Sequence, residues 1–170
     1  MSAGADIAVA VLDEAWLAAV PDAVALCRQA ALAALAGHGA KVAGELAVAL
    51  GDDALLRRLN RDHRGQDRPT NVLAFPLAGA GDDPALPALL GDVVIARETV
   101  LREAADQGKS AADHLAHLVV HGTLHVLGHD HDTDADAARM EALETAVLAG
   151  LGIADPYRPT PATDAARGAA

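Results

Sequence analysis

Three histidines in the second half of the chain have a spacing that could hold one metal ion. His121 and His125 are four residues apart, and His131 follows six residues later. Because residues four apart share one face of an α-helix, the first two imidazoles can point at the same ion. Zinc binds nitrogen ligands in a tetrahedral array, and three histidines leave one position open, as in catalytic zinc sites. The spacing therefore predicts a catalytic metal site rather than a structural one.

Another histidine has the same helical spacing but is excluded by distance. His117 lies four residues before His121, yet it is eight residues from His125. Eight residues of intact helix span about 12 Å, so His117 and His125 cannot bind one ion. We expect His117, like His114, to pack in the interior or to support the ligands.

The third ligand depends on how the helix ends. Gly128 can adopt a left-handed conformation, end the helix and turn the chain back. His131, three residues later, can then complete the site, and His129 is the competing choice because it comes directly after the glycine.

The same spacing occurs in the zinc peptidases called metzincins, whose pattern is H-E-x-x-H-x-x-G-x-x-H. Their glutamate is the general base, and Gly122 stands at that position here. Water bound at this site would have no carboxylate there to accept its proton. A metzincin-like hydrolase or peptidase is therefore an alternative that the spacing supports and Gly122 weakens.

Composition and charge exclude several classes of protein. The 170 residues carry a net charge of −11, which argues against general nucleic-acid binding. Aromatic residues make up 2% of the chain, too few for a platform that stacks bases. Cys27 is the single cysteine, which rules out an internal disulfide or a thiolate-rich zinc site. No segment resembles an export signal or a membrane helix, so we expect a soluble, cytoplasmic protein.

Apolar runs, helix caps and glycines predict an α+β fold with a small mixed β-sheet of about four strands and about five helices. Strands are expected at 7–12, 45–50, 71–75 and 92–95. Helices are expected at 21–36, 53–62, 96–107, 111–127 and 134–149. The metal site lies at the end of the central helix 111–127. Residues 1–157 are expected to form one domain, with a loose start at 1–5, a loop at 76–90 and a disordered tail at 158–170.

Four segments together resemble the YbeY family of single-strand-specific endoribonucleases that act in ribosomal RNA maturation. They occur in the family's order and are residues 60–76, 90–95, 121–131 and 140–144, the last followed by Asp155-Pro-Tyr157. The segment 60–76 contains Arg64 and the run Pro-Thr-Asn-Val-Leu-Ala-Phe-Pro. Two positions depart from the usual pattern, because Ala74 replaces a serine and His129 a tyrosine.

The resemblance implies one zinc ion per chain bound by His121, His125 and His131, with Arg64 as a catalytic residue that contacts the substrate phosphate. Nickel or iron could also occupy three imidazoles. The implied substrate is single-stranded RNA, a ribosomal RNA precursor matured at the 3′ end of the small-subunit RNA, with a further part in ribosome quality control. The implied partners are the small subunit or assembly factors, with no DNA and no membrane. A non-catalytic assembly factor stabilised by zinc is the second alternative.

Five of the 13 basic residues lie close together in the sequence. They are Arg57, Arg58, Arg61, Arg64 and Arg68. Arg57 and Arg61 share a helix face, and Arg64 and Arg68 could extend this strip towards the histidines, so these four arginines could contact such an RNA. The alternative is a helix face whose arginines are only solvated. The sequence does not identify a general base, and Asp130 and Asp132 could instead orient the ligand histidines.

Overall fold

The fold is described by a computed structural model covering residues 5–39, 42–77 and 89–157. The predicted tail at 158–170, most of the predicted loop at 76–90 and most of the loose start lie outside these residues. No helix among the described residues has the length and hydropathy needed to span a bilayer.

Four strands form one mixed sheet, as predicted. The strands are β1 (Ala5–Val11), β2 (Gly44–Gly51), β3 (Val72–Pro76) and β4 (Leu89–Ala96). Their order across the sheet is β1-β2-β4-β3. β2 runs parallel to both β1 and β4, whereas β3 pairs antiparallel with β4 and lies at the edge.

Six helices occur in the described residues, against about five predicted. They are α1 (Ala15–Ala19), α2 (Ala23–Gly37), α3 (Asp53–Arg64), α4 (Arg97–Gln107), α5 (Ala111–Val126) and α6 (Asp134–Gly150). The short α1 was not predicted. It is held by a tertiary contact, because the buried Trp16 donates its indole N–H to the Gly51 carbonyl at 2.8 Å. α3 extends two residues beyond the predicted end, so Arg64 is helical.

Helices cover both faces of the sheet. Successive residues of a strand point to opposite faces, and in β4 Val93 and Ile95 join the main core with α2 and α5. Val94 packs on the other face with Leu56 of α3. α5 is the central helix, in contact with α2, α4, α6, β3 and β4. Its C-terminal end therefore lies beside the edge strand β3.

Candidate metal centre and active site

The last turn of α5 and the residues after it bring three imidazoles together. One ring nitrogen from each of His121, His125 and His131 lies within 4.8 Å of the others. The ring centroids of His121 and His125 are 4.6 Å apart, and those of His125 and His131 are 5.0 Å apart. These are the three residues that the spacing singled out.

The turn after α5 explains how His131 reaches the other two. Gly128 has a φ of +100°, in the left-handed region that favours glycine. Its N–H donates to the His125 carbonyl at 3.0 Å, and the His129 N–H donates to the Leu124 carbonyl at 3.0 Å. These bonds satisfy carbonyls at the helix end and reverse the chain direction.

His129, the alternative third ligand, contacts a histidine outside the cluster. His129 Nε2 lies 2.8 Å from His38 Nδ1, at the C-terminal end of α2. The two rings meet edge to face with centroids 5.0 Å apart. Burial and the neighbouring His38 ring lower the pKa of His129. The hydrogen bond to His38 therefore occupies one nitrogen of the histidine that directly follows Gly128.

A buried carboxylate from α6 orients the first imidazole. Glu144 is 1% exposed, and its Oε2 accepts from His121 Nδ1 at 3.1 Å. Its Oε1 accepts from His117 Nε2 at 2.8 Å and from the Tyr157 hydroxyl at 2.6 Å. Burial alone would raise the pKa of Glu144, but the bonds from the two histidines and Tyr157 outweigh it and lower the pKa to about 2. The carboxylate therefore stays ionised and accepts all three bonds.

This carboxylate determines which His121 nitrogen is free. Because Glu144 is an acceptor, His121 Nδ1 carries the proton and Nε2 of the neutral ring keeps its lone pair. Such a carboxylate–histidine pair is typical around metal ligands. The sequence pointed to Asp130 and Asp132 for this role, but the bond to His121 comes from Glu144. Nothing in the local pattern shows that a glutamate in the middle of α6 is buried.

The residues fit a divalent metal ion. Imidazoles must be unprotonated to bind a metal. Burial, followed by the charges of His121 and His131, lowers the pKa of His125 to about 4, so its ring is neutral at pH 7. The site also lies at the C-terminal end of a helix, whose partial negative charge attracts a cation.

The remaining histidines of α5 support the site instead of joining it. His117 donates to Glu144 Oε1, whereas His121 donates to Oε2 of the same carboxylate. His114 is almost fully buried and donates its Nε2 proton to Glu103 Oε1 at 2.9 Å. Burial lowers the pKa of His114 more than Glu103 raises it.

Gly122 packs directly against the sheet. A Cβ added at this position would lie 2.6 Å from Val93 Cγ1 and 3.3 Å from Val72 Cγ2. Since a contact below 3.0 Å forces a shift, α5 needs glycine here to approach the strands. The position that holds the general base in metzincins has no room for a side chain in this fold.

The three imidazoles line a cleft of about 640 Å³ between β3 and the end of α5. Arg64, Asp130 and Asp132 line the same cleft. Arg64 is the last residue of α3, is exposed, and has no hydrogen-bond or ion-pair partner among the described residues. The cleft thus combines three imidazoles, two carboxylates and a guanidinium that has no partner among the described residues.

The predicted basic strip divides into two groups. Arg57 pairs with Asp67 at 2.8 Å and Arg61 with Asp62 at 3.2 Å. Arg64 and Arg68 form no ion pair within the described part of the chain and share the wall of a second cavity. The strip thus contains two arginines paired with aspartates at the surface and two without an ion pair among the described residues.

Comparisons with known proteins agree on one family. The family model for Endoribonuclease YbeY matches residues 14–152. The chain is 53% identical over 161 residues to Endoribonuclease YbeY of Paramagnetospirillum magneticum, covering 92% of this chain and 98% of that protein. It is 55% identical over 145 residues to the protein of the same name from Alkalilimnicola ehrlichii, covering 85% and 86%.

A solved structure shares the fold. The solution structure of TM1509 from Thermotoga maritima superimposes with a TM-score of 0.56, covering 84% of this chain and 87% of that one. The two sequences are 23% identical, so the match supports the architecture alone.

Proposed function

The chain belongs to the Endoribonuclease YbeY family, and from this premise we propose that it is a zinc-dependent endoribonuclease that cuts single-stranded RNA. The observation that carries the proposal is the convergence of His121, His125 and His131 with Arg64 on one cleft. A hydrolase for phosphodiesters needs a cation near the phosphoryl oxygens and a donor for their developing charge. The three histidines would hold the cation, and Arg64 would be the donor.

One zinc ion per chain would be held by these three histidines. Zinc suits three imidazoles with an open position, although nickel or iron can bind the same donor set. When bound, the ion supplies Lewis acidity towards a phosphoryl oxygen. Glu144 keeps the His121 ring in the orientation and protonation state that binding requires.

Arg64 would bind the phosphate that is cut. Its planar guanidinium can donate two parallel N–H bonds to phosphoryl oxygens, which gain negative charge during attack at phosphorus. Its lack of a partner among the described residues supports this role, because none of their carboxylates has to be displaced first.

The biological substrate we propose is a ribosomal RNA precursor, matured at the 3′ end of the small-subunit RNA, with a second role in ribosome quality control. Such a substrate implies contact with the small subunit or its assembly factors, and action in the cytoplasm. We assign the activity to one domain, residues 1–157.

The test is incubation of metal-loaded protein with matched single-stranded and double-stranded RNA, with and without a chelator. We expect cleavage of the single strand only, abolished by the chelator and restored by zinc. A His125→Ala protein should be inactive under the same conditions. A casein digest is run in parallel to detect a peptidase.

Two results would contradict the proposal. Cleavage of casein without cleavage of RNA would indicate the metzincin-like alternative. Loss of the fold on chelation, with no cleavage by the metal-loaded protein, would indicate an assembly factor that uses the metal for stability.

A further inference from the structure

A second cavity lies next to the metal cleft and is lined by three arginines. Its volume is about 320 Å³. Arg64, at the end of α3, and Asn71, directly before β3, line both spaces. Arg68 and Arg102 line the second cavity but not the cleft. The two spaces are therefore neighbours with a common wall.

The arginines of this cavity form no ion pair within the described part of the chain. Arg68 donates to the neutral Gln66 Oε1 at 3.0 and 3.2 Å, and Arg102 donates to Thr99 Oγ1 at 3.2 Å. Neither is within ion-pair distance of a carboxylate among the described residues. In contrast, Arg57 and Arg61 are each paired with an aspartate.

One carboxylate, Glu103, also lines the cavity. Glu103 Oε1 accepts from Asn71 Nδ2 at 2.9 Å and from His114 Nε2 at 2.9 Å. In a chain with a net charge of −11, three arginines and one carboxylate around one cavity leave a local excess of positive charge, which attracts an anion.

The cavity also has a structured floor. Asn60 of α3 is 2% exposed, and its Nδ2 donates to the Arg68 carbonyl at 2.9 Å. This bond ties the backbone of Arg68 to the helix that carries Arg64.

We propose that this cavity binds the phosphodiester next to the one that is cut, with Arg68 and Arg102 as its ligands. The proposal rests on the proposed function, in which the RNA strand is cut in the metal cleft. Guanidinium groups match the geometry of phosphate oxygens and bind them through charge-assisted bonds. These two arginines lie beyond the wall that Arg64 and Asn71 form between the cleft and the second cavity. The cavity thus explains how an acidic protein retains an RNA strand beside its metal centre.

The test uses a short single-stranded RNA whose cut bond has been mapped. Phosphates flanking that bond are replaced, one at a time, by methylphosphonate, which is neutral and similar in shape. Cleavage and affinity are measured for the parent, for Arg68→Gln/Arg102→Gln, and for Arg58→Gln. Arg58 is the matched control, because it is an exposed arginine of α3 that lines a different cleft with Leu12 and Leu55.

We expect kcat/KM of the parent to fall about tenfold or more at one flanking position, which is the effect of losing a hydrogen bond to a charged group. The double variant should lose a similar factor on the natural RNA and be insensitive to methylphosphonate at that position. It should keep the parent's melting temperature and metal content, since both arginines are exposed. Arg58→Gln should behave as the parent.

If methylphosphonate at every flanking position slows cleavage by the parent and by the double variant equally, the subsite is overturned and the proposed function stays intact. A parent that cuts no RNA would instead overturn the proposed function. In that case the affinities decide the subsite: weaker RNA binding by the double variant than by Arg58→Gln supports it, and equal binding by all three proteins refutes it. If the two arginines are needed for binding of inorganic phosphate but not for binding of RNA, the cavity is a site for free phosphate. That result also contradicts the proposal.

Discussion

His38 and His129 are joined by a hydrogen bond of 2.8 Å between Nδ1 and Nε2, which links the end of α2 to the segment that follows α5. This bond separates His129 from the cluster formed by His121, His125 and His131. Two histidines only two residues apart thus face different partners.

The first prediction concerns metal content. His131→Ala should lose most of the bound metal, because it removes one of three ligands. His129→Ala should retain close to one ion per chain, because its ring nitrogen bonds to His38. Elemental analysis of the two purified proteins measures this. The reverse pattern would show that His129 is the third ligand.

A second prediction tests the buried carboxylate. Glu144→Gln keeps the size of the side chain but cannot accept three hydrogen bonds in the same way. We expect metal affinity to fall by roughly 10- to 100-fold, as for other groups that orient ligand histidines, and stability to fall by about 1–3 kcal/mol. Metal titration and thermal unfolding are the measurements.

Tyr157→Phe provides the matched control for Glu144. It removes one hydrogen bond to Glu144 Oε1 and leaves the bond from His121 to Oε2 in place. Metal affinity should change much less than in Glu144→Gln. Equal losses in both variants would mean that Glu144 acts on the fold and not on His121.

The third prediction concerns Gly122. Helix propensity alone would make Gly122→Ala stabilising by roughly 0.5–1 kcal/mol. The contact of the new Cβ with Val93 should reverse the sign, and overpacking of this kind costs about 1–3 kcal/mol. Chemical denaturation would measure the free energy of unfolding.

Gly150→Ala is the control for that substitution, because an added Cβ at Gly150 of α6 meets no atom within 4 Å. It should be neutral or stabilising. Combining Gly122→Ala with Val93→Ala should cost less than the sum of the two single changes, since the second removes the clashing methyl groups. Strict additivity would contradict the packing explanation.

A fourth prediction tests whether Arg64 acts in RNA cleavage and not in folding. Arg64→Ala should keep its metal and its melting temperature, because the side chain is exposed and unpaired within the described chain. RNA cleavage should fall roughly 100-fold, as when one donor to a developing charge is removed. Arg64→Lys should recover only part of the cleavage activity, since lysine lacks the planar fork of the guanidinium. Activity equal to that of the parent in Arg64→Ala would exclude this arginine from the reaction.

Local features of the fold were predictable from the sequence. Asp52, Ser110 and Thr133 each accept a hydrogen bond from the N–H three residues later, so each helix start is encoded within four residues. Alternating and continuous apolar runs likewise marked the four strands. The proximity of His121 and His125 was predictable from the helical repeat alone.

Contacts between distant segments were decided by the tertiary structure. Glu144 lies 23 residues from His121, and the pairing depends on how α6 packs against α5. The same applies to Trp16, whose bond to Gly51 holds the unpredicted α1, and to Arg102, which meets Arg68 only across the second cavity.

His129 and His131, which follow Gly128, show most clearly what the local sequence determines and what tertiary contacts determine. The sequence by itself determined that α5 ends at this glycine, because a left-handed residue can be recognised locally. It did not determine which imidazole joins the cluster, because His38, 91 residues away, bonds to His129. Backbone turns depend on neighbouring residues, whereas the partner of a side chain depends on which elements the core brings together.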